Sequence, residues 1–193
     1  MGCQVGLEYA RIFPERVSCL VLMLGTAGRA LETFANSRHS PLVFRAVRRA
    51  AFSIGPRINQ ITGPLLRSRV AWPFTTRLSL VDPLYTEYDD FYPYLSHLAS
   101  MDFLVFLEAA WQCQLHDAWE MLPDIGVPLL MIAADRDAFT PLSCAQRLVD
   151  KVPRAEMMIL AEGTHAALIE QPDTINIRLA RFFAEHGVAE LPQ

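Results

Sequence analysis

Apolar residues follow two rhythms along this chain. At either end they form short continuous runs between turn residues. In the middle they recur at helical spacing. Residues 2–13 place Val5, Leu7, Tyr9, Ala10, Ile12 and Phe13 on an apolar surface, and Pro14 stops the helix they predict. The run RVSCLVLML (16–24) follows, bounded by Pro14 and Gly25, as a parallel strand buried on both faces would be. The pattern returns near the other end. VPLLMIAAD (127–135) predicts a second buried strand, PLSCAQRLVDKVP (141–153) a helix between prolines, and AEMMILAEG (155–163) a third strand. PDTINIRLARFFAEHG (172–187) predicts a last helix with Leu179, Phe182 and Phe183 on one side and Gly187 as its stop. Strand and helix alternate, so the fold class is α/β with a parallel sheet.

Residues 26–123 break that alternation. Helical stretches opened by Pro41 and Pro64, then DDFYPYLSHLA and MDFLVFLEAAWQCQLHDAWEML, predict a helical insertion between two core strands. Its charge is polarised. Nine arginines (29, 38, 45, 48, 49, 57, 67, 69 and 77) stand against Glu32 in its first part, whereas its second part, taken with Asp124 just past its end, holds nine acids and no Lys or Arg. Two solvated faces that partly pair are the expected reading. A basic amphipathic surface around Arg45–Arg49, drawn to anionic lipid or an acidic substrate, is the alternative.

Composition narrows the class. The chain has 193 residues, is 52% apolar and carries a net charge of −4, which fits one globular core and argues against a general nucleic-acid partner. Cys3, Cys19, Cys113 and Cys144 are scattered without ligand spacing, so they are expected to be reduced thiols of a cytoplasmic protein and no metal site is expected. No apolar run is long enough to span a membrane. Nothing in the sequence fixes an oligomeric state.

In a parallel α/β sheet, chemistry sits on loops after the C-terminal ends of strands. Two such loops carry candidates. In AADRDAFTP, Asp137 precedes a Pro-started helix and is either an aimed carboxylate or an acid stabilised by the helix dipole. In AEGTHAALIEQP, His165 follows a strand and Gly163 directly. An Asp and a His on neighbouring strand ends form the orienting half of a nucleophile–His–acid triad, in which the carboxylate fixes the imidazole tautomer and stabilises the imidazolium.

These pieces together resemble the α/β-hydrolase superfamily, in its lid-bearing, esterase-like branch. MGCQVGLEYARIFPERVSCLVLMLG looks like the segment that follows the nucleophile in G-x-S-M-G. VPLLMIAADRDAFTP looks like the acid loop, and AEGTHAALIEQPDTINIRLARFFAEH like the histidine loop and terminal helix. The resemblance implies the C-terminal part of an α/β-hydrolase fold. Three parallel strands with flanking helices come from residues 1–25 and 124–193, and residues 26–123 form a helical lid. It implies Asp137 as triad acid and His165 as general base. It implies Met1 as the residue whose backbone N–H is one oxyanion donor. Gly2 stands as the last elbow glycine, and Gly6 as a small residue where the helix packs on the sheet. The nucleophile matches no position and would lie one residue before Met1. The strand at 17–24 then becomes an unblunted edge, and the chain by itself is expected to be poorly soluble and inactive.

The activity implied is hydrolysis of an apolar, ester-like small molecule through a Ser-His-Asp triad that uses no cofactor. A carbon–carbon bond hydrolase and a non-catalytic binding module are the alternatives. Cys3 is the nearest substitute nucleophile, two residues past the elbow apex. Aromatic residues of the insertion pack a core, and Phe103, Phe106 and Trp111 are candidates to line a substrate pocket.

Overall fold

The computed structural model of the chain describes residues 1–34, 37 and 39–187. Arg38 of the basic segment lies outside the described residues. Three parallel strands form one sheet in the order β1 (Leu20–Met23), β2 (Leu129–Ala134), β3 (Ala155–Leu160). Leu20 pairs with Leu129 and Leu129 with Ala155, so the three strands start level. β1 is shorter than the apolar run that predicts it. Val17 to Cys19 run beyond the start of β2, where the Pro128 carbonyl takes the Leu20 N–H and pairing begins.

β2 is buried at every position, and its two faces explain the layers. Leu129, Met131 and Ala133 face one way, into a core with Cys3 and Leu7 of helix α1 (Gly2–Ile12) and with Ala145 and Leu148 of a helix (Leu142–Val149) that returns the chain to β3. Leu130, Ile132 and Ala134 face the other way, onto Ile175 and Phe182 of the last helix (Pro172–Glu185). The apolar run thus forms a strand because side chains alternate across a sheet that has helices on both faces.

Between β1 and β2 the chain is helical: α2 (Ala30–Thr33), α3 (Ser40–Ile54), α4 (Ile58–Arg67), α5 (Ala71–Arg77), α6 (Tyr88–Ser100) and α7 (Phe103–Leu115). We number the remaining helices α8 (Leu142–Val149), α9 (Ala167–Glu170) and α10 (Pro172–Glu185). Pro64 lies inside α4, not at a helix start as expected from its place in PLLRSRVAW. The carbonyl it would leave without a helical partner belongs to Gln60 on the exposed side, where water can serve it. Asp102 caps α7, accepting from the Leu104 and Val105 N–H groups. Ala71, Val81, Phe91 and Leu95 form a small core of their own that also buries Ala166, next to His165.

The polarised charges of this segment meet each other. Arg48 bonds Glu108, Arg69 lies 3.5 Å from Asp89, and Arg29 lies 3.2 Å from Asp117. Among the described residues, no helix is long and apolar enough to cross a membrane.

β1 is an edge. Beside it a shallow groove of about 800 Å³ is lined by Gly2, Val5, Gly6, Tyr9, Cys19 and Leu20, and Val5 is 68% exposed. A side chain at Gly6 would touch Leu20 and Leu22 at 3.4 and 3.7 Å, so this residue sits where α1 lies against β1. A Cβ on Gly2 meets no atom within 4 Å, so the described residues exert no demand for glycine there.

Candidate active site

The loop after β2 is built around one carboxylate. Asp137 is buried, and both its oxygens are used. Oδ1 accepts from the backbone N–H groups of Phe139 (2.7 Å) and Thr140 (2.9 Å). Oδ2 accepts from the Thr140 hydroxyl (2.9 Å) and faces His165 Nδ1 at 2.8 Å. The dipole reading of Asp137 and the triad reading are therefore not exclusive. The carboxylate binds the N–H groups leading into α8 and meets the histidine with the oxygen left over. Asp135 is exposed and touches neither.

His165 sits on the loop after β3. The turn that delivers it departs from the sequence expectation at one position. Glu162, not Gly163, takes the left-handed conformation (φ 62°). Gly163 is needed for space, since a Cβ there would lie 3.1 Å from the Ala167 Cβ and 3.2 Å from the Ala134 Cβ. The two loops are stitched by the Arg136 N–H, which donates to the Gly163 carbonyl at 3.0 Å. Phe139 stacks on the imidazole with centroids 4.7 Å apart and is held from behind by Phe34. One edge of His165 is thus fixed by Asp137 and one face by Phe139, while the side chain stays 34% exposed. A carboxylate can only accept, so the nitrogen that donates in this contact is Nδ1, and Nε2 is the one turned away from Asp137.

Among the described residues, no hydrogen bond or ring contact joins the other candidates to this pair. Met1 precedes α1, and its carbonyl accepts from Gln4 and Val5; no hydrogen bond among the described residues joins it to Asp137 or His165. Phe103 stacks on Phe106 (6.2 Å), and Trp111 lies parallel to Phe44 (6.4 Å), all at the junction of α7 with its neighbours. Cys3 is excluded as a substitute nucleophile. Its thiol is buried, donates to the Met23 carbonyl at 3.4 Å, and is pushed up from its ordinary pKa by that burial. His116 is engaged with Glu8, whose carboxyl it and Arg11 hold below the usual range. The described residues contain no cluster of three or more metal-ligating side chains.

Four residues around the pair were not singled out by the sequence reading: Phe139, Thr140, Thr164 and Glu170. Thr140 carried a signal, since it follows Asp137 by three residues before a Pro-started helix, as a cap partner does.

Residues 106–190 match the model of a family described as TAP-like protein. The chain is similar over 192 residues, at 27% identity, to a protein of Variovorax paradoxus named "Putative carbamate hydrolase RutD". The match covers 100% of this chain and 66% of that protein. It is similar at 25% identity to a protein of the same name from Cronobacter turicensis, over 91% of this chain and 60% of that one. Among solved structures it resembles MGS-M2, an alpha/beta hydrolase enzyme from a deep-sea metagenome library, with TM-score 0.65 and 21% identity over 100% of this chain and 64% of that one. The chain spans at most 66% of the length of these three.

Proposed function

We propose, for a chain that belongs to the α/β-hydrolase superfamily, that it carries the acid–base half of a serine hydrolase acting on small apolar carboxylic esters or their carbamate counterparts. The observation that carries this reading is the 2.8 Å contact between His165 Nδ1 and an Asp137 carboxylate whose other acceptor positions are taken by its own loop. A hydrogen-bonded, buried carboxylate behind a half-exposed imidazole is what nucleophile activation requires. The names of the relatives support a small acyl substrate with an oxygen or nitrogen leaving group.

In this reading a serine hydroxyl approaches Nε2 of His165. The imidazole takes its proton as the serine oxygen attacks the substrate carbonyl. The oxyanion that forms is stabilised by backbone N–H groups, that of Met1 among them. His165 then protonates the leaving group, and an acyl-serine remains. Water attacks that ester while giving its proton to His165, and the carboxylic acid leaves as serine regains the proton. Asp137 stays a carboxylate throughout and pairs with the imidazolium. The helical insertion is the lid, and Phe103, Phe106 and Trp111 are its candidates for contact with the substrate.

Hydrolysis of a short nitrophenyl ester by the full protein tests this. His165→Ala is expected to lower kcat/KM by about 10⁴-fold in a protein that still folds. Among the described residues, the hydrogen bond of the His165 side chain is the one to Asp137, and a binding module built on that pair is the second reading. Turnover by the parent that survives His165→Ala would sink the triad reading, and binding of the ester without turnover would install the second.

A further inference from the structure

Glu170 is the second buried carboxylate of this region, and the triad chemistry does not use it. It closes α9 with its side chain turned inward. Oε2 accepts from the Thr164 N–H at 2.8 Å. Oε1 accepts from the Thr164 hydroxyl at 2.6 Å and from the Asp82 N–H at 2.8 Å. Thr164 is the residue before His165. Asp82 belongs to the loop after α5, at the end of the basic half of the insertion. One carboxylate therefore grips the backbone that delivers the histidine and the backbone that seats the insertion.

Three further contacts converge on the same joint. The Thr164 hydroxyl lies 3.0 Å from the Leu80 carbonyl and accepts from the Ala166 N–H at 3.1 Å, so its position bends the chain around His165. Val81, between Leu80 and Asp82, is buried in one cluster with Ala166. Arg136, next to Asp137, reaches Asp82 at 3.5 Å and also bonds Glu162. The acid loop, the histidine loop and the insertion loop thus share one set of partners.

We propose that Glu170 is a positioning residue for His165, and that through it the insertion and the histidine loop hold one another in register. A carboxylate suits this place because all three facing groups are donors. An amide offers one acceptor oxygen, and its NH₂ would meet an N–H head-on. An aspartate is one methylene too short to serve both loops. Loss of the clasp leaves one buried and one half-buried backbone N–H, of Thr164 and Asp82, without partners, and such groups drive the local chain to open. Opening at Thr164 swings the next residue, His165, away from Asp137.

The test is the exchange with water of the His165 imidazole N–H that bonds Asp137, followed by proton NMR on the full protein. This readout does not need hydrolysis; only the accompanying kinetics rest on the proposed reaction. Glu170→Gln is expected to speed exchange about tenfold, the weight of one such hydrogen bond. Thr164→Val is expected to act in the same direction. Thr164→Ser, which keeps both donors, and Glu156→Gln, on the exposed pair with Arg178, are expected to match the parent. Where ester turnover is present, Glu170→Gln lowers kcat about tenfold and leaves KM within about twofold. Trypsin, which reaches the exposed Arg77 at the end of α5, is expected to cut there faster in Glu170→Gln and not at Lys151. Unchanged imidazole exchange in a folded Glu170→Gln protein overturns the proposal. Should that variant fail to fold, unchanged exchange in Thr164→Val overturns it equally. A parent without turnover whose exchange is still accelerated by Glu170→Gln discards the hydrolase reading and keeps the positioning role.

Discussion

The two faces of α1 sit in opposite circumstances, and the contrast extends across the sheet. Cys3 and Leu7 point inward and are sealed against Leu22, Leu129 and Met131. Two residues past Cys3, Val5 lines the groove beside β1 and is mostly exposed. At the far ends of β2 and β3 the situation is the reverse of that groove. There, two carboxylates are buried with every facing donor accounted for. The contrast is thus between polar groups taken out of water and paired one by one and apolar groups that still face water.

Asp137→Ala is expected to have the largest effect. It leaves the N–H groups of Phe139 and Thr140 and the Thr140 hydroxyl without their acceptor, which costs about 2–4 kcal/mol in urea unfolding. A loss below about 0.5 kcal/mol would mean that water enters the loop freely and that its order is only apparent.

Cys3 gives an intermediate effect, visible through pH. Burial raises its thiol pKa in the folded chain, so the folded state keeps a proton that the unfolded state releases. The stabilisation is fully present below the unfolded thiol value of about 8.5 and is lost as pH climbs through the higher folded value. Urea midpoints at pH 7 and above pH 9 are expected to show that decline, and Cys3→Ala to flatten part of it.

Val5→Lys is expected to do least, within about 0.5 kcal/mol, because the side chain it replaces is already in water. If instead the substitution costs several times that, in the full protein, something packs on this face and the contrast disappears.

The sequence made the strands, the flanking helices and the Asp137–His165 pair legible for related reasons. Each buried strand is an unbroken apolar run between breakers, and the chemistry must follow such runs directly. What it hid are contacts that depend on direction, not spacing. Glu170 precedes Gln171 and Pro172 and looks like an acid at the mouth of α10; only the short α9 turns its carboxylate toward Thr164. Val17 to Cys19 belong to the same unbroken run as the strand they precede, and their exclusion from β1 is set by where β2 begins. Gly163 signals a turn in the sequence, yet the left-handed turn residue is Glu162 and the glycine answers to Ala134 and Ala167 across the gap.

The acid loop has a consequence for the order in which the site assembles. Three of the four bonds at Asp137 reach only two or three residues along the chain, and the fourth reaches His165, 28 residues away. Contacts so local close early and at little entropic cost, whereas the fourth must wait for β3 to dock beside β2. The carboxylate is a socket formed before its plug arrives. The histidine therefore docks onto a carboxylate whose other acceptor positions are filled from within its own six-residue stretch, 135–140.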